Sequence, residues 1–202
     1  MGAKKIGFFL TLIGRLLIIA AFCIVGYNVW DELRVRDYTL TVTKSIESNI
    51  AEKEENAADN VPAYVLNPEM EMPQKEIDGQ MYIGILEIPS RNLVLPVISS
   101  WSYPALKRSP CRYAGSVYLN DMIISAHNYN SHFACLKELQ IGDEILFTDM
   151  DGNVFRYWMA ERDILMPTAI EEMKNGEWDL TLFTCTPGGK YRVTVRCEKL
   201  EE

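Results

Sequence analysis

The stretch Leu180-Thr181-Leu182-Phe183-Thr184-Cys185-Thr186-Pro187-Gly188-Gly189-Lys190-Tyr191-Arg192 sets a thiol and a guanidinium at the two ends of one tight connection. The β-formers Thr, Leu and Phe before Cys185 suit a strand. After Arg192, Val193-Thr194-Val195-Arg196-Cys197 alternates with period two, and Pro187-Gly188-Gly189 supplies turn chemistry. The pattern predicts two antiparallel strands with Cys185 and Arg192 as cross-strand neighbours, about 5 Å apart at Cβ.

A nucleophilic thiol needs a proton carrier, and the chain holds only two histidines. His127 ends the apolar run Met122-Ile123-Ile124-Ser125-Ala126, the C-terminal tip of a predicted strand and a rigid place from which to present a side chain. His132 lies in a helical segment in which Phe133, Leu136 and Leu139 share one buried face, a pattern that points His132 elsewhere. His127 is therefore the candidate partner of Cys185. Arg192 keeps its proton at any ordinary pH, so it holds substrate or stabilises an oxyanion.

The run Thr181-Leu182-Phe183-Thr184-Cys185 ahead of a hairpin Arg192, with an upstream strand ending in His127, resembles the sortase family of cysteine transpeptidases. The likeness extends over Met81 to Leu200 and includes Ile123-Ile124-Ser125-Ala126-His127-Asn128 and Gly142-Asp143-Glu144-Ile145. It implies a Cys185, His127 and Arg192 catalytic set, with Thr184 supporting substrate or oxyanion although strand alternation turns it to the opposite face. It also implies no cofactor. The implied substrate is a surface protein bearing a cell-wall sorting signal of the Leu-Pro-x-Thr-Gly kind, and the implied acceptor an amine of a cell-wall precursor or peptidoglycan. The short Thr186 to Tyr191 connection fits both a class B-like and a class D-like member. A pilin-polymerising type is disfavoured by the lack of an Asp-Pro-aromatic lid and of a second apolar span after Cys197. The rival functions are another exported cysteine peptidase or L,D-transpeptidase, and a non-catalytic, membrane-tethered barrel that binds wall polymer.

Residues Leu16 to Trp30 are apolar apart from Asn28, and with Ile6 to Gly14 they form a stretch long enough to span a bilayer. Lys4, Lys5 and Arg15 precede or sit early in it, which orients the N-terminus toward the cytoplasm and the rest outside. No Ala-x-Ala site follows, so an uncleaved single-pass anchor in the cell membrane is expected over a cleaved secretory peptide. Between Ser45 and Asp78, nine carboxylates face two lysines, a net −7 in a chain of net −8. With Pro62, Pro68 and Pro73 breaking any helix, this reads as a solvated spacer, in which Ser45 to Ala58 could form a polar helix. The expected organisation is an anchor over 1–30, an acidic extracellular stalk over 31–78 and a catalytic domain over 79–202.

From Met81 onward short strands alternate with turns: Tyr82 to Ile88, Leu93 to Ile98, Ser116 to Leu119, Met122 to Ser125, Glu144 to Thr148, Asn153 to Ala160, and the two catalytic strands. This spacing predicts a mainly β fold, a closed β-barrel of about eight strands with a few short helices, one of them after Pro167. Asp149-Met150-Asp151-Gly152-Asn153 reads as a hairpin turn, since Gly152 comes too early for a calcium loop. The five cysteines lack metal-ligand spacing, so no metal site is expected; Cys111 and Cys135 are a possible disulfide pair. Acidic composition without a basic stripe excludes nucleic acid as a partner. The bilayer is the one expected partner besides substrate and acceptor.

Overall fold

A computed structural model describes residues 3–56, 61–174 and 178–200. Its body is a nine-stranded sheet in the order β1-β2-β3-β4-β5-β8-β9-β7-β6. The strands are β1 (Lys75–Ile77), β2 (Gln80–Ile88), β3 (Leu93–Ile98), β4 (Cys111–Ala114), β5 (Met122–Ser125), β6 (Glu144–Asp149), β7 (Val154–Leu165), β8 (Leu180–Cys185) and β9 (Arg192–Lys199). An antiparallel pairing of β2 with β6 joins the two sides, so β2 to β9 make a closed eight-stranded barrel with β1 appended to β2. Closure removes the open edges that would otherwise template aggregation. Inward-facing side chains from alternate positions, among them Leu86, Val97, Ile124, Phe147, Tyr157, Leu182 and Val195, fill the interior.

Strand β2 serves β1 and β6 along one edge, Gln80 to Tyr82 pairing with β1 and Gly84 to Glu87 with β6. Its register against β3 shifts between Tyr82 and Gly84. Gly84 has φ +153° there, and a Cβ on it would collide with the Thr148 carbonyl oxygen. The bulge and its glycine thus let three strands meet on β2.

Two sequence expectations change. Ser116 to Leu119 is a turn and not a strand: Gly115 at φ +70° reverses the chain, and the Ser116 amide donates to the Asp121 carboxylate at 2.8 Å. These local side-chain acceptors compete with a ladder and win, leaving Cys111–Ala114 as the strand. Within the stretch expected as an acidic stalk over 31–78, the described residues 31–56 and 61–78 include segments packed on the barrel. One helix, α1 (Ala3–Asn56), runs without a break from the apolar stretch into this region, and its residues from Gly7 include a segment long and apolar enough to cross a membrane. Val35, Thr39, Val42, Ile46 and Ile50 form its buried stripe at helical spacing, with Val42 and Ile46 set among Tyr82, Ile85, Ile98 and Met150. The Tyr38 and Tyr82 hydroxyls lie 3.0 Å apart, and Lys53 pairs with Asp151 at 2.6 Å on the exposed hairpin. Beyond α1, Tyr64 stacks on Tyr118 at 4.7 Å between centroids and Met72 enters the core. The polar helix expected over Ser45 to Ala58 runs as part of α1 to Asn56; residues 57 and 58 lie outside the described residues.

Gly84→Ala is expected to cost at least about 3 kcal/mol, because it imposes both a disfavoured φ and a backbone clash at the point of closure. Urea unfolding monitored by tryptophan fluorescence checks this against Gly79→Ala, where open space leaves the φ cost alone.

Candidate active site

The site is built by three neighbouring strand ends. Strand β5 pairs in parallel with β8, Ser125 opposite Phe183, and β8 pairs antiparallel with β9, Cys185 opposite Arg192. The Ala126 amide donates to the Phe183 carbonyl at 3.2 Å, so the parallel register continues one step past β5 and brings His127 level with Cys185. Period-two alternation puts Cys185 with Phe183, His127 with Ser125, and Arg192 with Thr194, all on the outer face of the barrel. There the three line one cleft of about 260 Å³. Its walls are mostly apolar, with Trp101, Tyr113, Met166, Ile170 and Met173 around the polar trio.

Thr184 takes the opposite alternation and is buried, its hydroxyl donating at 2.8 Å to the Ala126 carbonyl, one residue before His127. This bond ties the end of β8 to the segment that carries the imidazole. The connection from Cys185 to Arg192 is closed by Thr186 N–H to Tyr191 O at 2.9 Å and Gly189 N–H to Thr186 O at 2.7 Å. Gly188 and Gly189 have φ of +80° and +73°, which side-chain-bearing residues adopt only with strain. Within this turn the Arg192 guanidinium donates to the carbonyls of Gly189 at 3.2 Å and Tyr191 at 3.3 Å, so its fork is held at the mouth of the cleft.

His127 is half-buried. Burial lowers its proton affinity below the ordinary imidazole value, the Lys107 ammonium lowers it further, and the Asp31 carboxylate opposes both. His132 corrects the sequence reading. Phe133, Leu136 and Leu139 are buried as expected, in a 3₁₀ turn (Phe133–Glu138), but His132 does not point away from the core: it is 0% exposed, with neither ring nitrogen hydrogen-bonded. His132 stands just before this turn, outside helical geometry, so helical spacing does not set its direction. Burial drives its pKa down to about 4, so it is a neutral ring packed 5.6 Å from Tyr129.

Sequence inspection gave Arg196 no role. It is buried on β9, ion-paired to Asp163 at 3.3 Å, and it donates to the Met173 carbonyl at 3.1 Å, to the Glu172 carbonyl at 2.6 Å and to the Thr181 hydroxyl at 3.1 Å. It thereby caps the last carbonyls of the Ile170–Lys174 helix and fixes one wall of the cleft. Alternation put Arg196 on the Arg192 face, but only tertiary packing brings the helix over it.

Cys111 and Cys197 belong to the core and Cys135 packs against it, while Cys23 is exposed on the apolar half of α1. Cys111 and Cys135 are both free, and burial pushes them up to about 12 and about 11; buried Cys197 is raised as well. Asp149, read as part of a turn, accepts from the amides of Asp151 and Asn153, the Asn153 side chain and the Tyr118 hydroxyl. Its oxygens are consumed in holding the hairpin. Among the described residues no cluster of three or more candidate ligands could hold a metal ion.

A closed barrel carrying a thiol, an imidazole and a guanidinium on adjacent strand ends is an arrangement able to support thiol-dependent acyl transfer. The Sortase domain profile matches residues 86–200, more than half of the chain, and the chain belongs to the sortase family, a cysteine transpeptidase. Among solved structures, the Clostridium perfringens sortase D5 transpeptidase aligns with a TM-score of 0.60 at 17% identity, over 82% of this chain and 99% of that one. Sortase C1 from Streptococcus suis aligns at 26% identity and TM-score 0.52, over 60% and 74%. Clostridium perfringens sortase C, solved with the C-terminal cell wall sorting motif, aligns at 23% identity and TM-score 0.53, over 80% and 91%. No curated protein sequence matches significantly.

Arg196→Met is expected to unpin the Ile170–Lys174 helix, lowering stability by about 2 kcal/mol through the carbonyls left unpaired. Hydrogen exchange should report faster amide exchange in this helix than in β5, which Arg196 does not contact.

Proposed function

We propose that this sortase cleaves the sorting signal of a surface protein through a Cys185 thioester and transfers the acyl group to a cell-wall amine. The observation that carries the proposal is the convergence of Cys185, His127 and Arg192 on one outer-face cleft. Sortase C, whose fold this chain shares, has been solved with a C-terminal sorting motif, which supports a peptide as the donor. The Cys185 thiolate attacks the backbone carbonyl, forming an S–C bond. Collapse of the tetrahedral adduct breaks the C–N bond, and the His127 imidazolium gives its proton to the departing amine. An incoming amine then attacks the thioester, its proton passes to the His127 imidazole, and the thiolate leaves.

Arg192 cannot carry protons, so its role is to donate to the carbonyl oxygen as negative charge develops, or to a neighbouring substrate carbonyl. Thr184 acts by holding the Ala126 carbonyl and with it the approach of His127 to the sulfur. The apolar walls exclude water, which favours an amine acceptor over hydrolysis. The apolar half of α1 serves as a single-pass anchor with the N-terminus in the cytoplasm and the barrel outside.

Incubation with a Leu-Pro-x-Thr-Gly peptide library and an amine, followed by mass spectrometry, is expected to find the acyl adduct on Cys185. Cys185→Ala abolishes the adduct, and His127→Ala and Arg192→Ala each lower kcat/KM by about 100-fold or more. Iodoacetamide should alkylate Cys185 faster than Cys111, Cys135 or Cys197. Ligation that persists in Cys185→Ala, or a uniformly unreactive set of thiols, would leave the inert-barrel alternative standing.

A further inference from the structure

We propose that Asp31, at the foot of the apolar half of α1, is a positioning residue for His127 and acts through the ring of Tyr129. The inference rests on the proton-carrying role proposed for His127. No side-chain hydrogen bond among the described residues fixes the His127 imidazole. The Tyr129 ring lies beside it, 5.2 Å between centroids at 46°. Tyr129 is held in turn, packed against the buried His132 ring and donating its hydroxyl to Asp31 Oδ2 at 3.4 Å. Its neighbour Asn130 reaches Glu32 of the same helix at 3.5 Å. The loop behind His127 is thus braced against α1, and the docked Val35, Val42 and Ile46 stripe fixes where Asp31 stands.

The charges around His127 give Asp31 a second role. Lys107, at the end of the Tyr103–Leu106 helix, disfavours the imidazolium, and burial does the same. His132 and Tyr129 come from its own loop, Cys185 and Arg192 from β8 and β9. From α1, Asp31 supplies the carboxylate that favours the imidazolium, while Arg34 pairs with it at 2.8 Å and partly screens it. Delivery of a proton to the leaving amine needs the imidazolium, so a carboxylate on the helix outside the barrel sustains the protonated fraction.

The test uses the full-length chain in phospholipid nanodiscs with ring-labelled histidine. With two histidines in the chain and His132 titrating near pH 4, the His127 resonance is followed without ambiguity. Asp31→Asn is expected to move the His127 titration to lower pH and to reduce kcat/KM at pH 7 by about fivefold. Asp31→Glu restores both, Lys107→Gln moves the titration to higher pH, and Asp37→Asn, exposed on the same helix, moves neither. An unmoved His127 titration in Asp31→Asn, or an Asp31→Glu protein as impaired as Asp31→Asn, overturns the proposal. This outcome is distinct from failure of the reaction itself: a Cys185 that no sorting peptide acylates would end the proposed chemistry, yet the His127 titration would still report on Asp31.

Discussion

The site depends on one pairing, the parallel register of β5 with β8. Parallel strands run their C-terminal ends the same way, so a residue just past β5 and the last residue of β8 arrive at one rim. The antiparallel partner β9 starts where β8 stops, and its first residue, Arg192, comes level with Cys185. No long loop has to be ordered to assemble the three groups. The register is locked because Ile124, Leu182 and Val195 are buried at neighbouring positions in the interior; a one-residue slip would turn them outward and Cys185 inward.

The same alternation explains why Thr184 and Cys185, adjacent in sequence, do different work. Thr184 faces inward, where its hydroxyl meets the Ala126 carbonyl, and Cys185 faces the cleft. The outer face at this point is covered as well. Phe183 packs edge-on to Tyr113 at 5.4 Å, and Met173 joins Ile123 and Phe183 in a small apolar cluster under the helix that Arg196 caps. The thiol is thereby set in a half-dry groove and not on an open sheet. That groove is also what depresses the proton affinity of His127, so under the proposed chemistry the cover that would shield an acyl intermediate works against its proton donor. The Asp31 carboxylate opposes this effect without reversing it, and it comes from α1, outside the barrel.

Local chemistry was legible where it was dense. The Cys185 to Arg192 hairpin, the strand ending before His127, the Asp149 to Asn153 turn and the Phe133, Leu136, Leu139 face follow from propensity and period alone. The stripe on α1 escaped because its five positions are diluted by charged neighbours: in residues 31–56 net charge dominates composition, and only a helical projection separates Val42 and Ile46 from Glu47 and Lys44. His132 escaped because a buried imidazole without partners contradicts ordinary satisfaction of polar groups, and nothing in a sequence announces an exception. Arg196, Asp31 and Lys107 act across 23, 98 and 20 residues of sequence respectively, distances at which no local pattern operates.

The unbroken course of α1 fixes the direction of its apolar half relative to the barrel on which its later stripe is docked. Asp31 follows Trp30, the last residue of the apolar stretch, and touches the His127 loop; Lys53, 22 residues on, touches the β6–β7 hairpin at the other end. At 1.5 Å per residue these contacts are about 33 Å apart along the helix axis. In the anchored arrangement proposed above, the cleft therefore lies at the end of the domain nearest the bilayer. A flexible stalk would let Cys185 sweep the space above the membrane, whereas a docked helix confines it to a shallow layer. Under that proposal, the peptide donor and the amine acceptor would both have to meet the cleft in that layer.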